Sequence, residues 1–428
     1  MNTKLWLCGC CCLILAVCAG CSQPARPSNK LLVWHWMTDR DETLKVLARE
    51  YKKQTGIEVT VELFAPSDAY SQKIMAAAQS DSLPDIYGIL DKKSIFALFI
   101  EAGLVADLTA DFNAHDGAWA KSLFEKALAV NRFEVGNIYG VKPGIYGVPI
   151  DVTDIQMLYN KKLLARARIQ NPPQTFDELI KDMTVLKRIG ITPFVSGWGE
   201  LWLVYCFADN YAFNIMGEEK TYDTVRGKVP YTDEDWIKVF DIFRELRDKG
   251  VLIDGIVTKG NKYAEQDFAL ERAAFTFNGS WGVNVYRDMN PKLEYGVMLP
   301  PPISNAHPLK IWGGAGSSLM VNNQSPNKLK AIAFLKWLTA KDQQAVLARL
   351  TRNLPSNKDA MAMIPPLLED FAKGMENSTN PMIWPLEEDP LVLEAFLKGI
   401  QAIIIGDKTP QQVAADVEQV KIQQMAKR

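Results

Sequence analysis

Hydrophobic and polar positions along residues 31–90 switch between a strand pattern and a helix pattern. Leu31-Leu-Val-Trp-His-Trp36 is a short, mostly apolar run, typical of a buried strand. Apolar residues recur at helical spacing over 44–51, and alternation over 57–63 predicts a second strand. A second helical stretch at 70–78 leads to a third strand at 85–90. This order of elements predicts a parallel sheet with right-handed crossovers.

The pattern changes at Gly147-Val-Pro-Ile150. An apolar run at 155–159 predicts another strand, and helical spacing dominates beyond it. Two capping boxes, Thr175-Phe-Asp-Glu178 and Thr409-Pro-Gln-Gln412, mark helix starts, and Ser325-Pro326 begins a further helix. The strand pattern at 295–299 ends in a run of prolines, which forms a stiff link. Together these elements indicate an α/β fold.

The stretch Ala273-Ala-Phe-Thr-Phe277 is uncharged and predicts a fully buried strand. Asn278-Gly-Ser280 ends it with turn chemistry, and Gly279 allows another group to approach the backbone closely. Trp281 follows at the carboxyl end of the strand, where open α/β sheets bind ligands. Its ring is therefore a candidate stacking surface, and a buried core tryptophan is the alternative interpretation.

Composition narrows the class of protein. A chain of 428 residues with 48% hydrophobic residues is too long for one core, so two domains are expected. A net charge of −2 argues against nucleic-acid binding. The three histidines show no metal-ligand spacing, so neither a metal nor a cofactor is predicted. Outside the first 21 residues the only cysteine is Cys206, interpreted as a small buried hydrophobe.

The first 20 residues read as a signal peptide. Lys4 supplies the positive start, residues 5–17 are apolar, and Cys18-Ala-Gly-Cys21 supplies small residues for cleavage. The end of this stretch resembles a bacterial lipobox, which implies a lipid on Cys21 and a chain anchored on the periplasmic or extracellular face of the cell envelope. Cys18 stands where a lipobox usually has Leu, so ordinary cleavage and an uncleaved anchor stay open. Residues 21–30 lack apolar periodicity and are expected to form a tether.

Several stretches together resemble the extracellular solute-binding proteins of ABC importers, the family that includes maltose-binding protein. They keep their order over roughly 31–420 and are Leu31-Leu-Val-Trp34, Thr55-Gly-Ile-Glu-Val-Thr-Val61, Pro84-Asp-Ile86, Gly147-Val-Pro149, Leu158-Tyr-Asn-Lys161, Phe275-Thr-Phe-Asn-Gly-Ser-Trp281, Ser325-Pro-Asn-Lys328 and Gly406-Asp-Lys-Thr-Pro-Gln-Gln412. The resemblance implies a type II-like periplasmic-binding-protein fold with a ligand cleft between two lobes joined by a multi-segment hinge. We expect lobe 1 at 31–150 and 296–326, and lobe 2 at 151–295 and 327–428.

Candidate ligand contacts are aromatic rings, which suit the C–H faces of a sugar, and polar groups, which suit its hydroxyls. In Ser196-Gly-Trp-Gly-Glu-Leu-Trp202 two tryptophans flank a carboxylate, and Gly197 and Gly199 are expected to loosen the backbone. Through the resemblance Trp281 matches a stacking tryptophan, and Thr153 matches a polar contact near Asp151. The full candidate set is Trp36, Thr38, Asp39, Asp91, Lys92, Asp151, Thr153, Trp198, Glu200, Trp202, Trp281, Trp312, Gly313, Gly314, Arg352 and Trp384.

The expected function is capture of a sugar or oligosaccharide by lobe closure and delivery to the membrane permease of an importer, without enzymatic activity and as a monomer. The alternatives are the same scaffold binding a polyamine, a phosphodiester or a peptide, and a secreted glycoside hydrolase. A hydrolase needs two carboxyl groups facing one bond. Glu200 and Asp91 are the nominees for that pair, and nothing in the sequence brings them together.

Overall fold

The computed structural model describes residues 29–65, 67–90, 93–364, 366–375, 378–379, 384–385 and 387–427. The expected signal peptide, Cys21 and nearly all of the expected tether lie outside these residues, as do Asp91 and Lys92. None of the helices in the described part of the chain is both long and apolar enough to cross a membrane.

Short strands and longer helices follow one another along the described chain. The strands are β1 (Lys30–His35), β2 (Glu58–Leu63), β3 (Ile86–Tyr87), β4 (Arg132–Phe133), β5 (Gly144–Ile145), β6 (Val148–Pro149), β7 (Asp151–Asn160), β8 (Thr192–Val195), β9 (Ala273–Gly279), β10 (Tyr295–Met298), β11 (Ile311–Ala315), β12 (Ser318–Val321), β13 (Leu354–Pro355) and β14 (Ser378–Thr379). The α-helices are α1 (Asp41–Thr55), α2 (Ser67–Gln79), α3 (Lys93–Glu101), α4 (Thr109–Ser122), α5 (Glu125–Ala129), α6 (Lys161–Arg166), α7 (Phe176–Arg188), α8 (Leu201–Val225), α9 (Glu234–Lys249), α10 (Asn261–Ala269), α11 (Gly282–Met289), α12 (Lys328–Leu338), α13 (Lys341–Thr351), α14 (Glu369–Gly374), α15 (Pro390–Ile405) and α16 (Pro410–Met425).

The first sheet has the strand order β2-β1-β3-β12-β6. Strands β1, β2 and β3 run parallel, which confirms the prediction from alternation and helical spacing. Strand β12 comes from much later in the chain and pairs antiparallel with both β3 and β6. The core beside this sheet includes Leu31, Val33 and Tyr51, and also Phe334 and Leu347 from α12 and α13. Those two late helices therefore pack on the first sheet.

Three of the family-like motifs meet beside the first sheet. The buried Asp85 carboxylate accepts a hydrogen bond from the Ser325 hydroxyl at 2.5 Å and from the Asn327 amide at 3.3 Å. It also accepts the backbone N–H of Leu32 at 2.8 Å. A buried carboxylate requires such partners. Asp85 therefore joins three distant chain segments and has a structural role.

The second sheet has the order β14-β11-β7-β9-β8, and β10 and β13 also pair with β7. Strand β7 is its long central member and pairs antiparallel with β9, β10, β11 and β13. The core beside it is rich in aromatic residues, and α15 and α16 contribute Phe396 and Val417. These helices agree with the mostly helical pattern that the sequence predicts from residue 176 onward.

The chain passes between the two sheets at three places: Ile150 between β6 and β7, 316–317 between β11 and β12, and 352–353 between α13 and β13. The expected bounds assign 296–326 to lobe 1, whereas β10 and β11 hydrogen-bond to β7 of the second sheet. They assign 327–428 to lobe 2, whereas α12 and α13 contribute side chains to the first core. Sheet pairing and core packing thus place the second and third passages later in the chain than the expected bounds do.

Candidate functional site

Two tryptophans form an aromatic floor at the carboxyl ends of β8 and β9. Trp281 follows β9 and Trp202 lies in the first turn of α8, and both rings are partly buried against the second core. Their centroids are 5.6 Å apart with an interplanar angle of 56°. A Cβ atom on Gly279 would lie 1.9 Å from the Trp281 ring, so only glycine leaves room for the ring there. The predicted close approach at Gly279 is thus made by the neighbouring tryptophan itself.

Protein carboxylates hold both indole N–H groups. Trp202 Nε1 donates to Glu200 Oε2 at 2.9 Å, and Trp281 Nε1 donates to Glu265 Oε1 at 2.9 Å. The backbone N–H of Asn261 donates to Glu200 Oε1 at 2.6 Å. Because both Glu200 oxygens accept protein donors, this predicted ligand contact acts first as the support of Trp202.

Glu265 is the residue that sequence reasoning missed. Its Oε1 accepts Asn261 Nδ2 at 3.0 Å and Asn278 Nδ2 at 3.2 Å besides the indole, while Oε2 pairs with Lys262 Nζ at 3.0 Å. It is 1% exposed. No local motif marks a carboxylate sixteen residues before Trp281 as its partner. Only the packing of α10 against β9 brings the two together.

Gly197 and Gly199 allow close packing and do not loosen the backbone. A Cβ atom on Gly197 would lie 2.4 Å from Asn261 Cα, and one on Gly199 would lie 2.7 Å from the Thr258 carbonyl carbon. Gly199 also donates its N–H to the Lys259 carbonyl at 3.0 Å. The two glycines therefore allow the turn before α8 to pack closely against residues 258–261. This packing brings the Glu200 carboxylate within hydrogen-bond distance of the Asn261 backbone N–H.

Two predicted contacts lie in the second core. Trp198 is fully buried among Phe194, Phe207 and Phe243, with ring centroids 5.2 to 5.5 Å away. Trp384 is fully buried against Trp236 at 5.3 Å, and its indole N–H donates to the Tyr231 hydroxyl at 3.1 Å. Neither ring has an exposed face for a ligand. Their aromatic neighbours in the core, which are distant in sequence, explain their burial.

Trp312 and the glycines after it lie where β11 leads into the second passage. The Trp312 ring is partly buried and 5.2 Å from the ring of Tyr205. Gly313 pairs with Asp154 of β7, while Gly314 adopts a φ of 83° that favours glycine. Thr153, on the same stretch of β7, is also partly buried. These residues lie on the second sheet, whose strand β9 ends two residues before Trp281.

A buried charged cluster joins the three passages between the sheets. Arg40 Nε lies 2.5 Å from Asp151 Oδ2, and Arg40 Nη1 donates to both oxygens of Asp39 at 3.0 Å. Asp151 Oδ1 accepts the N–H of Ser317 at 2.6 Å, and Asn353 Nδ2 donates to Asp39 at 3.0 Å. Asp151 is fully buried, so this predicted ligand contact is part of the hinge. Sequence reasoning missed Arg40, which follows Asp39 directly.

Charge pairing outweighs burial for Arg40 and Asp39, whereas burial raises the pKa of Asp151 above its ordinary value although Arg40 and the Ser317 N–H act in the opposite direction. Burial opposes the charge on Arg40, but Asp151 and Asp39 raise the pKa of the guanidinium above its ordinary value. Burial would likewise raise the pKa of Asp39, but Arg40 and the Asn353 amide lower it below the ordinary value. Lys262, at the start of α10 in the second sheet's half, lowers it further. The start of α10 therefore lies within electrostatic reach of the end of β1.

The remaining described candidates lie beside the first sheet or at the third passage. Trp36 tilts against Tyr70 at 5.3 Å, and its ring occupies the space that a Cβ on Gly88 would need. Thr38, just after β1, is exposed. Arg352 ends α13 with a φ of 51° and is partly buried, with no hydrogen-bond partner for its Nε within the described ranges. Across those same ranges, no group of three or more His, Cys, Asp or Glu side chains is placed to hold a metal ion.

Lys93 begins α3 just after the segment that carries Asp91 and Lys92. Its ammonium donates to the carbonyls of Val130 at 2.8 Å and Arg132 at 2.6 Å, and lies 4.4 Å from the centre of the Phe133 ring. Burial lowers the pKa of Lys93 to about 7, although Glu387 and Glu134 act in the opposite direction.

This pKa makes stability depend on pH in the alkaline range. Between about pH 7 and 10 the lysine is charged in the unfolded chain and neutral in the folded chain, so the free energy of unfolding rises with pH. Lys93→Met is expected to remove about 1 to 3 kcal/mol of that rise. Urea unfolding at several pH values across the range measures it. The exposed Lys53→Met is the control, and equal slopes for Lys93→Met and the wild type would contradict the expectation.

Two α/β halves, joined by three chain passages and flanked by partly exposed rings at strand ends, define a two-lobed binding protein. A family model described as bacterial extracellular solute-binding protein matches residues 46–374, which is more than half of the chain. The chain therefore belongs to the bacterial extracellular solute-binding proteins.

Known proteins resemble the chain over most of its length. It is 24% identical over 358 residues to a melibiose/raffinose/stachyose-binding protein of Bacillus subtilis, covering 80% of this chain and 79% of that one. It is 21% identical over 340 residues to a multiple sugar-binding protein of Streptococcus mutans, covering 76% of this chain and 75% of that one. A structure from a study of xylan utilisation by Caldanaerobius polysaccharolyticus has a TM-score of 0.78 at 21% identity, covering 91% of this chain and 99% of that one. The structural likeness establishes the two-lobed fold.

Proposed function

We propose that this chain captures a sugar or oligosaccharide in the cleft between its lobes and delivers it to the membrane permease of an ABC importer. The observation that carries the proposal is the Trp202–Trp281 pair. Carboxylates already accept both indole N–H groups, so the rings have only their faces left to offer. Ring faces suit the C–H faces of sugars. The names of the relatives in Bacillus subtilis and Streptococcus mutans, which are sugar-binding proteins, support this substrate class.

Lobe closure is the proposed mechanism, with no covalent chemistry. Lobe 1 would comprise about residues 30–149 and 318–351, and lobe 2 about 151–315 and 354–427, in line with sheet pairing and core packing. A sugar that contacts both lobes favours the closed state by its differential affinity for that state. We propose a monomer anchored by a lipid on Cys21, on the strength of the lipobox-like sequence.

Binding tests this proposal directly. Titration calorimetry and tryptophan fluorescence with mono- to pentasaccharides of several backbones should give saturable binding for at least one series. Spermidine, glycerophosphodiesters and short peptides form the comparison arms, and binding to one of them alone would replace the substrate class. A labelled oligosaccharide should stay intact on incubation. Cleavage products would support the hydrolase instead, although Glu200, one of its two nominated carboxylates, has both oxygens occupied by protein donors.

Trp281→Ala is expected to weaken sugar binding at least about tenfold. A ring that covers about 80 Å² of apolar sugar surface contributes roughly 2 kcal/mol, and 1.4 kcal/mol corresponds to a factor of ten. The thermal midpoint of the sugar-free protein should change little, since the ring is only partly buried. Trp337→Ala is the matched control, because Trp337 is also partly buried and donates to Gln54 in the other lobe. Collapse of the sugar-free Trp281→Ala protein would show that the ring is a core residue.

A further inference from the structure

Tyr263 is unusual among the aromatic side chains of this protein. It is 66% exposed, whereas every other Phe, Tyr and Trp in the described part of the chain is buried or partly buried. Exposed hydrophobic residues that are scattered singly are normal on protein surfaces. The position of Tyr263 in the fold therefore decides whether its exposure has a function.

Tyr263 borders the support of the tryptophan pair. It lies in the first turn of α10, and its backbone N–H donates to the Gly260 carbonyl at 3.1 Å. A Cβ atom on Gly260 would have the Tyr263 ring edge at 3.7 Å and Glu200 Oε1 at 3.4 Å. The gap between the Tyr263 ring and the Glu200 carboxylate, which accepts the Trp202 indole N–H, is thus about the size of one small side chain. The ring is thus a neighbour of the aromatic floor.

Polar contacts fix the start of α10 beside the tryptophan pair. Lys262, the residue before Tyr263, pairs with Glu265 Oε2 at 3.0 Å, and its charge helps to lower the pKa of Asp39. Asn261, one residue earlier, donates to both Glu200 and Glu265. The turn that carries Tyr263 is therefore anchored by hydrogen bonds at the cleft. An exposed ring on an anchored turn is held ready for a ligand at low entropic cost.

We infer that Tyr263 forms a further sugar-stacking subsite at the rim of the cleft, beyond the Trp202–Trp281 pair. This inference rests on the proposed function and narrows its ligand class to oligosaccharides of three or more rings. In this arrangement a short sugar would occupy the tryptophan pair alone. A longer chain would extend past Glu200 and place a further ring on the tyrosine. Tyrosine suits such a rim position because one end of its side chain is apolar and the other is polar.

The experiment compares chain lengths in one protein. The probes are the maltose, cellobiose, xylobiose and chitobiose series, each from two to five rings, titrated by calorimetry into the full-length wild type and Tyr263→Ala. For a series that the wild type binds, Tyr263→Ala is expected to weaken binding of the longer members about tenfold and to leave the disaccharide within about twofold, since 1.4 kcal/mol corresponds to a factor of ten. Tyr263→Phe should retain the affinity for the longer members, because stacking uses the ring.

Two controls separate the possible failures. Leu270→Ala removes an exposed apolar side chain at the other end of α10 and should change no affinity. Equal weakening of all chain lengths by Tyr263→Ala, or no weakening of any, would overturn the subsite while leaving the proposed function intact. Absence of wild-type binding to every carbohydrate would instead overturn the proposed function, and the subsite with it. Because Tyr263 is exposed, the variant should keep the wild-type thermal midpoint.

Discussion

Arg40→Met is expected to lower the free energy of unfolding by about 3 to 5 kcal/mol, the range measured when one partner of a buried ion pair is removed. Arg40 is 5% exposed and lies 2.5 Å from Asp151, which is fully buried. Without the guanidinium, Asp151 is either buried as an unpaired carboxylate or takes up a proton, and Asp39 loses the donor that contacts both of its oxygens. Urea unfolding of the sugar-free protein near pH 7, followed by circular dichroism, measures the change.

A surface ion pair provides the comparison for Arg40. Lys45→Met breaks the pair with Asp41 at 2.6 Å, but the lysine side chain is 37% exposed, so the loss should be much smaller than that for Arg40→Met. The double variant Arg40→Met with Asp151→Asn should be more stable than Arg40→Met alone, because no unpaired charge is left at position 151. A loss for Arg40→Met as small as that for Lys45→Met would refute the role given to the cluster.

The cluster also bears on lobe closure. Asp151 follows the first passage and pairs with Arg40 directly, Ser317 of the second passage donates to Asp151, and Asn353 of the third donates to Asp39. Gly316 lies against the backbone and carboxylate of Asp151, where a Cβ atom would be 2.4 Å from Oδ1. Hinge residues must absorb changes in backbone angles while their neighbours hold still. Arg40 and its two carboxylate partners therefore connect the three passages at one place.

Glu265→Leu is expected to lower the free energy of unfolding by at least about 3 kcal/mol and to abolish sugar binding at millimolar concentrations. Its Oε1 accepts from Trp281, Asn261 and Asn278, and a buried donor left without a partner costs about 1 to 3 kcal/mol. The same change frees the Trp281 ring to turn, so the floor loses its geometry. Thermal denaturation and tryptophan fluorescence titration measure the two effects.

Glu265→Gln is the matched variant. The glutamine oxygen can accept the same three donors, and only the pairing with Lys262 at 3.0 Å is lost, on a lysine that is 60% exposed. It should therefore keep most of the stability and bind sugar within a few-fold of the wild type. Equal losses for Glu265→Leu and Glu265→Gln would mean that the charge, and not the acceptor position, is what the site needs.

Local pattern was sufficient to predict several elements. The alternation in β2 and the spacing in α1 are consequences of side-chain direction along strands and helices, so they are visible without a fold. The capping box at Thr409 and Gln412 forms with both hydrogen bonds, at 3.2 and 2.9 Å, because its partners lie within one turn. Gly279 and Trp281 lie two residues apart, and the sequence predicted the close approach at Gly279.

The burial of individual rings and the sheet membership of individual strands depend on contacts between residues far apart in the chain. Trp198 and Trp202 lie in one short motif, yet the first is enclosed by Phe207 and Phe243 while the second faces Trp281. Strands β10 and β11 read as ordinary strands, and their membership of the second sheet depends on pairing with β7. The sequence by itself therefore determined the periodic elements and the stacking candidate Trp281. Only the tertiary structure decided which rings are covered and which charges meet, because burial and ion pairing depend on contacts that no local pattern encodes.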